Sequence, residues 1–111
     1  ESNDYRTSEI RRYLMKVSED LGKKGAPPLL TNLADVNCAD RVFLLSTDEV
    51  EKLPKEIRKF DYWWWLRSSG SSSLNATCVN CDGDINPNGL YVNYASGSVR
   101  PAIRVPAEIL K

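Results

Sequence analysis

Tyr62-Trp63-Trp64-Trp65-Leu66-Arg67 sets four aromatic rings and a leucine side by side. Bulky rings fit a pleated, half-buried backbone. Alternation along a strand sends Tyr62, Trp64 and Leu66 to one face and Trp63, Trp65 and Arg67 to the other. Indoles on both faces predict that both are covered, so the strand belongs in an interior and the flanking chain must supply the cover.

Downstream the chain turns to Ser, Asn, Gly and aromatics, with little sign of helix. Ser68 to Ser73, with Gly70, reads as a flexible loop. Ala76 to Cys81 and Leu90 to Tyr94 read as short strands, with Asp82-Gly83-Asp84 and Asn86-Pro87-Asn88-Gly89 as turns between them. A turn over Ala95 to Ser98 leads to a last strand, Val99 to Val105, where Pro101 demands an edge or a bulge.

Upstream, Arg41 to Leu45 has the apolar character of a buried strand and runs into Ser46-Thr47-Asp48-Glu49, a capping box that starts a helix. Pro54 limits that helix, and Lys55 to Lys59 is a solvated stretch with Ile57 as its anchor. Earlier still, Ile10, Leu14, Val17 and Leu21 recur on one helical face of Arg6 to Leu21, with Thr7 or Ser8 as cap and Gly22 as terminator. Residues 26–40 lack periodicity and read as irregular chain packed by Leu29, Leu30 and Leu33.

At 111 residues the chain fits one domain, 1–111, with one core. Fifteen Lys and Arg face fifteen Asp and Glu, without the basic stripe of a nucleic-acid binder, so no nucleic-acid partner is expected. Apolar runs fall far short of the ~20 residues that span a bilayer, so no membrane partner is expected either. The polar opening Glu1-Ser2-Asn3-Asp4, without Met, suggests the trimmed C-terminal part of a longer protein.

Catalysis is not expected. The chain has no His, the usual base. Asp82 and Asp84 make an acid pair on paper, but a turn wants both residues for its own reasons. Cys38, Cys78 and Cys81 cannot all pair, and reduced thiols in a cytoplasmic setting are the plain reading. The C-x-x-C of Cys78 and Cys81 spaces its side chains to opposite faces of a strand, against joint metal ligation. Asn80, Asp82, Asp84 and Asn86 resemble a calcium loop, but neither the glycine nor the closing Glu falls where that loop needs it. No cofactor and no metal are expected, and folding should not need one.

Asp40-Arg41-Val42-Phe43-Leu44-Leu45-Ser46, Trp64-Trp65-Leu66-Arg67-Ser68 and Val99-Arg100-Pro101-Ala102 occur in that order around an Asn- and Gly-rich hairpin region, and Ser8 to Leu14 opens the pattern. Together they are similar to a bacterial and phage-borne family of unknown function with WWLRS and VRPA motifs. That family is taken to share the C-type-lectin-like fold with formylglycine-generating-type domains and with the variable proteins of diversity-generating retroelements. The resemblance implies an α+β fold, two helices on a small twisted antiparallel sheet with a long loop-rich C-terminal half. The formylglycine activity does not carry over, because Cys78 and Cys81 are spaced unlike that pair. Asn86-Pro87-Asn88 resembles the first half of a calcium-lectin sugar site, whose second half is missing.

Trp64, Trp65, Arg67 and Arg100 are expected to be structural, the arginines satisfying carbonyls or pairing with Asp61 or Asp40. The expected function is ligand binding, of protein or glycan, through the Asn-, Tyr- and Ser-rich segment 75–98. Tyr there offers rigid contact area and Asn and Ser adaptable hydrogen bonds. Its candidate residues are Asn75, Asn80, Asp82, Asn86, Asn88, Tyr91, Asn93, Tyr94 and Ser96. Adenine-directed copying of Asn codons, as in the retroelement proteins, would give these residues and also Cys78 and Cys81, with Val79, Val92 and Val99 fixed in the interior. The other class is a structural or assembly domain, either cytoplasmic or displayed on a virion or cell surface within a longer protein.

Overall fold

The computed structural model describes residues 3–25, 29–31, 33–94 and 96–107. It is mixed α+β, with three α-helices and two small antiparallel sheets among the described residues. The chain divides into two compact units: Leu44–Arg100 with the residues up to Asp4, and Tyr5–Phe43 with the chain from Pro101 onward.

In the second unit, Tyr5–Thr7 forms a single 3₁₀ turn and α1 spans Glu9–Lys23. Ser8 is the cap: its hydroxyl accepts from the Arg11 amide at 3.1 Å. Leu14 is fully buried on the inner face, and α1 packs on β1, Val42–Phe43. The helix runs through Gly22 instead of ending there. The left-handed residue is Gly25, at φ +79°, beyond the Lys24 cap. The Arg11 guanidinium grips Asp40 through two bonds of 2.8 and 3.0 Å, with the carboxylate almost wholly buried. The pair holds the Arg11 pKa above its ordinary value, chiefly through that hydrogen bond. In the irregular stretch Leu33 is buried, Leu30 is largely exposed, and Ala34–Val36 forms one 3₁₀ turn; residues 26–28 and 32 lie outside the described residues.

The apolar run before the capping box yields only two strand residues. β1 pairs with β5, Ala102–Ile103, in the register Val42 to Ile103 and Phe43 to Ala102. The closing strand is therefore much shorter than Val99–Val105. Arg100 lies outside it, and the fold has two sheets where one was expected.

The first unit begins with the capping box as read from sequence. The Ser46 hydroxyl accepts from the Glu49 amide at 3.2 Å and Glu49 answers the Ser46 amide at 2.8 Å. The box opens α2, Thr47–Glu51, and Pro54 separates it from α3, Lys55–Arg58. Ile57 does not anchor α3: it is 52% exposed, and the buried residue of this region is Val50. With so short a helix after Pro54, one turn cannot aim both its ends at a core.

β2 spans Trp64–Ser69, β3 Asn75–Val79 and β4 Ile85–Tyr91, in the order β2-β3-β4. Trp64 to Arg67 are all buried, whereas Tyr62 lies outside the strand and is exposed. Trp64, Leu66, Val79 and Val50 form the core, with Leu45 and Ile85 against it. The Trp64 indole donates to the Arg58 carbonyl at 3.0 Å. On the other face Trp65 meets Trp63 edge-on, centroids 4.8 Å apart, and Gly97 lies so close to the Trp63 ring that a Cβ would collide with it.

Two turn readings fail. Ser68 and Ser69 continue β2, and the loop is confined to 70–74. Asn86-Pro87-Asn88-Gly89 is no turn but the body of β4. Pro87 is tolerated there because β4 is an edge. Gly89 takes φ +74° where the β3–β4 register slips between Ala76 and Cys78, so it serves a bulge.

Candidate functional site

Eight of the nine candidate residues fall into three places along the β3–β4 hairpin; Ser96 lies beyond it, two residues before Ser98, which bonds Trp63 and Trp65. Asn80 and Asp82 occupy the connecting turn, where the Asn80 amide donates to the Asp84 carbonyl at 2.8 Å and Asp82 Oδ1 accepts from the Asp84 amide at 3.0 Å. Asp84 reaches Lys55 Nζ at 2.6 Å, and buried Gly83 sits against the Lys55 and Lys59 side chains. That bond and charge hold the Asp84 pKa below, and the Lys55 pKa above, their ordinary values. The tip is thus tied to α3. In mid-strand, Asn86 Oδ1 accepts from the Gly89 amide at 3.1 Å and the exposed Asn88 takes the Ser71 amide on its carbonyl at 2.9 Å. Both residues help to hold the bulge.

The remaining residues gather at the opposite end. At about 3.3 Å per residue, the run from Asn80 back to Asn75 puts this end roughly 16 Å from the tip. Segment 75–98 is therefore not one patch. Asn75 pairs across the sheet with Tyr91, the Val92 amide donates to the Leu74 carbonyl at 2.9 Å, and the Tyr94 amide returns to the Tyr91 carbonyl at 3.0 Å. These bonds bring the two tyrosine rings into an edge-to-face pair, centroids 6.4 Å apart and planes at 84°. Even so paired, Tyr91 stays 53% and Tyr94 50% exposed, beside exposed Leu74 and Asn93.

What fixes this end comes from residues that the sequence did not single out. Asn3 donates its amide to the Ser73 carbonyl at 2.8 Å, and its side chain to the carbonyls of Ser72 at 3.0 Å and Asn75 at 2.9 Å. The Ser72 hydroxyl donates to Asn75 Oδ1 at 2.6 Å. One signal was nonetheless in the sequence. Neither 68–81 nor 85–99 contains Asp, Glu, Lys or Arg, in a chain that is 27% charged.

The residues expected to be structural are at the heart of the unit, with different partners. Buried Arg67 donates to the Leu44 carbonyl at 2.7 Å and pairs with Glu49 at 2.6 Å, not with Asp61 or Asp40, which is held by Arg11. Glu49 thus closes the capping box and neutralises Arg67 with one oxygen. Arg100 lies over the Trp64 ring at 4.6 Å and the Phe60 ring at 5.1 Å, donating to the Ile57 carbonyl at 3.1 Å. Exposed Ile57 and Phe60 belong to that contact set and exposed Val99 precedes Arg100 in the sequence, so Val99 is not an interior position; Tyr62 is exposed as well.

The cysteines are far from alike. Cys78 is fully buried opposite Trp65 and its thiol pKa is pushed up by burial, whereas Cys81 is exposed in the turn. Among the described residues no three of His, Cys, Asp and Glu come together as a metal site would require, and no helix is long and apolar enough to cross a membrane.

The model of the family described as "Domain of unknown function (DUF6273)" matches residues 7–107. No curated protein and no solved structure matches the chain. With nearly its whole length matched, the chain belongs to the DUF6273 family.

Proposed function

We propose that this DUF6273 domain is a recognition module of C-type-lectin-like fold, not an enzyme, which binds a protein or glycan through the Tyr91–Tyr94 end of its three-stranded sheet. The observation that carries the reading is the ring pair itself. Two aromatic rings stand half-exposed on a strand end held by at least five backbone and amide hydrogen bonds. Rigid tyrosines lose little entropy on binding, so such a platform is preorganised for contact. The WWLRS strand at the centre of the core and the short closing pair of β1 and β5 are in keeping with the lectin-like resemblance.

Retroelement diversification would use the exposed members of the set away from the tip: Asn88, Tyr91, Asn93, Tyr94 and Ser96. Cys78 and Asn86 fit that role poorly, because one is buried against Trp65 and the other holds the bulge. Asn80 and Asp82 belong to the tip docked on α3. A structural or assembly domain of a larger bacterial or phage protein is the second reading. The exposed Ile57, Phe60, Tyr62 and Val99 favour it, since a neighbouring part of such a protein would cover them.

The test is a pull-down from cells that carry the gene, comparing the wild type with Tyr91→Ala/Tyr94→Ala and with Asn80→Ala/Asp82→Ala. A partner lost only with the tyrosine pair supports the reading. Equal retention by all three removes the surface.

A further inference from the structure

We infer that the Tyr91–Tyr94 end takes a neutral carbohydrate, one sugar ring stacked on an exposed tyrosine face and its hydroxyls met by neighbouring amides and hydroxyls, with no metal ion involved. This rests on the recognition reading and narrows it to one class of ligand.

Charge decides the first step. The loop and strand segments that build this end, 68–81 and 85–99, carry no Asp, Glu, Lys or Arg. The acidic groups nearest in the hairpin, Asp82 and Asp84, are at the far tip, and Asp84 is engaged by Lys55. A phosphate, an acidic peptide or an anionic lipid headgroup would find no cation in those segments, and the carboxylate adjoining them, that of Asp4 next to Asn3, is too little for a basic peptide, so the fitting ligand is uncharged.

Area decides the second. An aromatic residue offers about 150–250 Å² in all, so two half-exposed tyrosines present roughly 200 Å² between them. A specific protein interface needs about 800 Å² on each side. The platform is the size of one or two sugar rings.

Chemistry decides the third. The edge-to-face arrangement at 84° leaves one ring's face uncovered by its partner, and the C–H face of a sugar ring packs on such a surface as another apolar group would. Next to it stand exposed Asn93, whose amide can both donate and accept, and the Asn75 amide, whose oxygen is already engaged by Ser72 and whose NH₂ can donate. A polyol wants this mixture, in which each hydroxyl is donor and acceptor at once. Segments 68–81 and 85–99 hold no carboxylate for a cation, so the binding should be indifferent to chelators.

The experiment is an NMR titration of the intact chain with three neutral oligosaccharides, cellohexaose, chitohexaose and maltoheptaose, in the presence of EDTA. The expected result is saturable shifts of the Leu74, Tyr91, Asn93 and Tyr94 amides with at least one sugar, at a dissociation constant of about 1 mM or tighter. Tyr91→Ala and Tyr94→Ala should together weaken that binding at least ~10-fold, with the melting curve of the double variant showing that it is folded. Tyr91→Phe should retain it within ~3-fold, because the stacking face remains. No saturable shift with any of the three at about 10 mM, or equal binding by the double alanine variant, overturns the inference. The recognition reading stands or falls separately. A protein partner lost with the tyrosines while all three sugars fail sinks the carbohydrate proposal alone.

Discussion

Replacing Trp64 by alanine probes the packing on which everything else rests. The indole is 1% exposed, in a core with Val50, Leu66 and Val79, donates to the Arg58 carbonyl and carries the Arg100 guanidinium on its face at 4.6 Å. Truncation removes the transfer energy of the ring and leaves a cavity, together about 3–5 kcal/mol. The lost hydrogen bond adds about 1 kcal/mol and the loss of the cation–π contact about 0.5–1 kcal/mol, part of which is already inside the measured range for such truncations. A chain of this size is stable by about 5–15 kcal/mol, so the variant should be folded but severely weakened. Urea denaturation followed by far-UV circular dichroism is the assay. With a slope of about 1–3 kcal/mol per molar, the midpoint should fall by roughly 2 M. A fall worth less than about 1 kcal/mol would mean that Trp64 is not in a packed core, and the assignment of the β2 faces would have to be abandoned.

Gly89→Ala should destabilise by more than about 1 kcal/mol in the same assay, because φ is +74° and the new Cβ would meet the Ala76 carbonyl oxygen; a neutral result would deny the bulge. The Asp84 pKa is depressed by Lys55, so its contribution is present above the unfolded carboxylate range and is lost as pH falls through the folded value, while that of Lys55, whose pKa is raised, is present below its unfolded value and lost in strong alkali. Asp84→Asn should accordingly flatten the acid limb of the melting temperature against pH, by a small amount since both side chains are about half-exposed; an unchanged limb would show the pair to be idle. Iodoacetamide followed by mass spectrometry should label exposed Cys81 first and Cys78 last, burial having both hidden the latter and raised its pKa; early labelling of Cys78 would contradict the sheet.

What the sequence disclosed was whatever depends on neighbouring residues. The Ser46–Glu49 capping box, the α1 face carrying Leu14 and the aromatic strand at Trp64–Arg67 are local patterns, and each is present. The failures share a cause. Asn86-Pro87-Asn88-Gly89 has the composition of a turn, but a bulged edge strand wants the same residues, and only the pairing with β3 tells them apart. Val99–Val105 reads as one continuous strand, yet its two ends belong to different units, with Ala102 and Ile103 paired to β1. Gly22 resembled a terminator, whereas the helix simply continued to where Gly25 could turn left-handed. Of the site, the residue types were legible and the grouping was not. Nothing local separates Asn80 at the tip from Asn93 beside the rings, and the role of Asn3 depends on a contact across most of the chain length. Arg67 is buried on the Leu44 carbonyl, but its partner Glu49 carries no local mark in the sequence beyond that of a capping residue.

Hydroxyl-radical footprinting of the intact chain, alone and mixed with the surface polysaccharide and the surface protein fractions of cells carrying the gene, shows which surface of the domain a ligand covers. Protection should be confined to Leu74, Tyr91 and Tyr94, with Phe60, Tyr62 and Val99 as reactive as in the free chain. Protection of Phe60, Tyr62 and Val99 with Tyr91 and Tyr94 still fully reactive would contradict binding at the tyrosine end and place recognition on the surface beside Arg100.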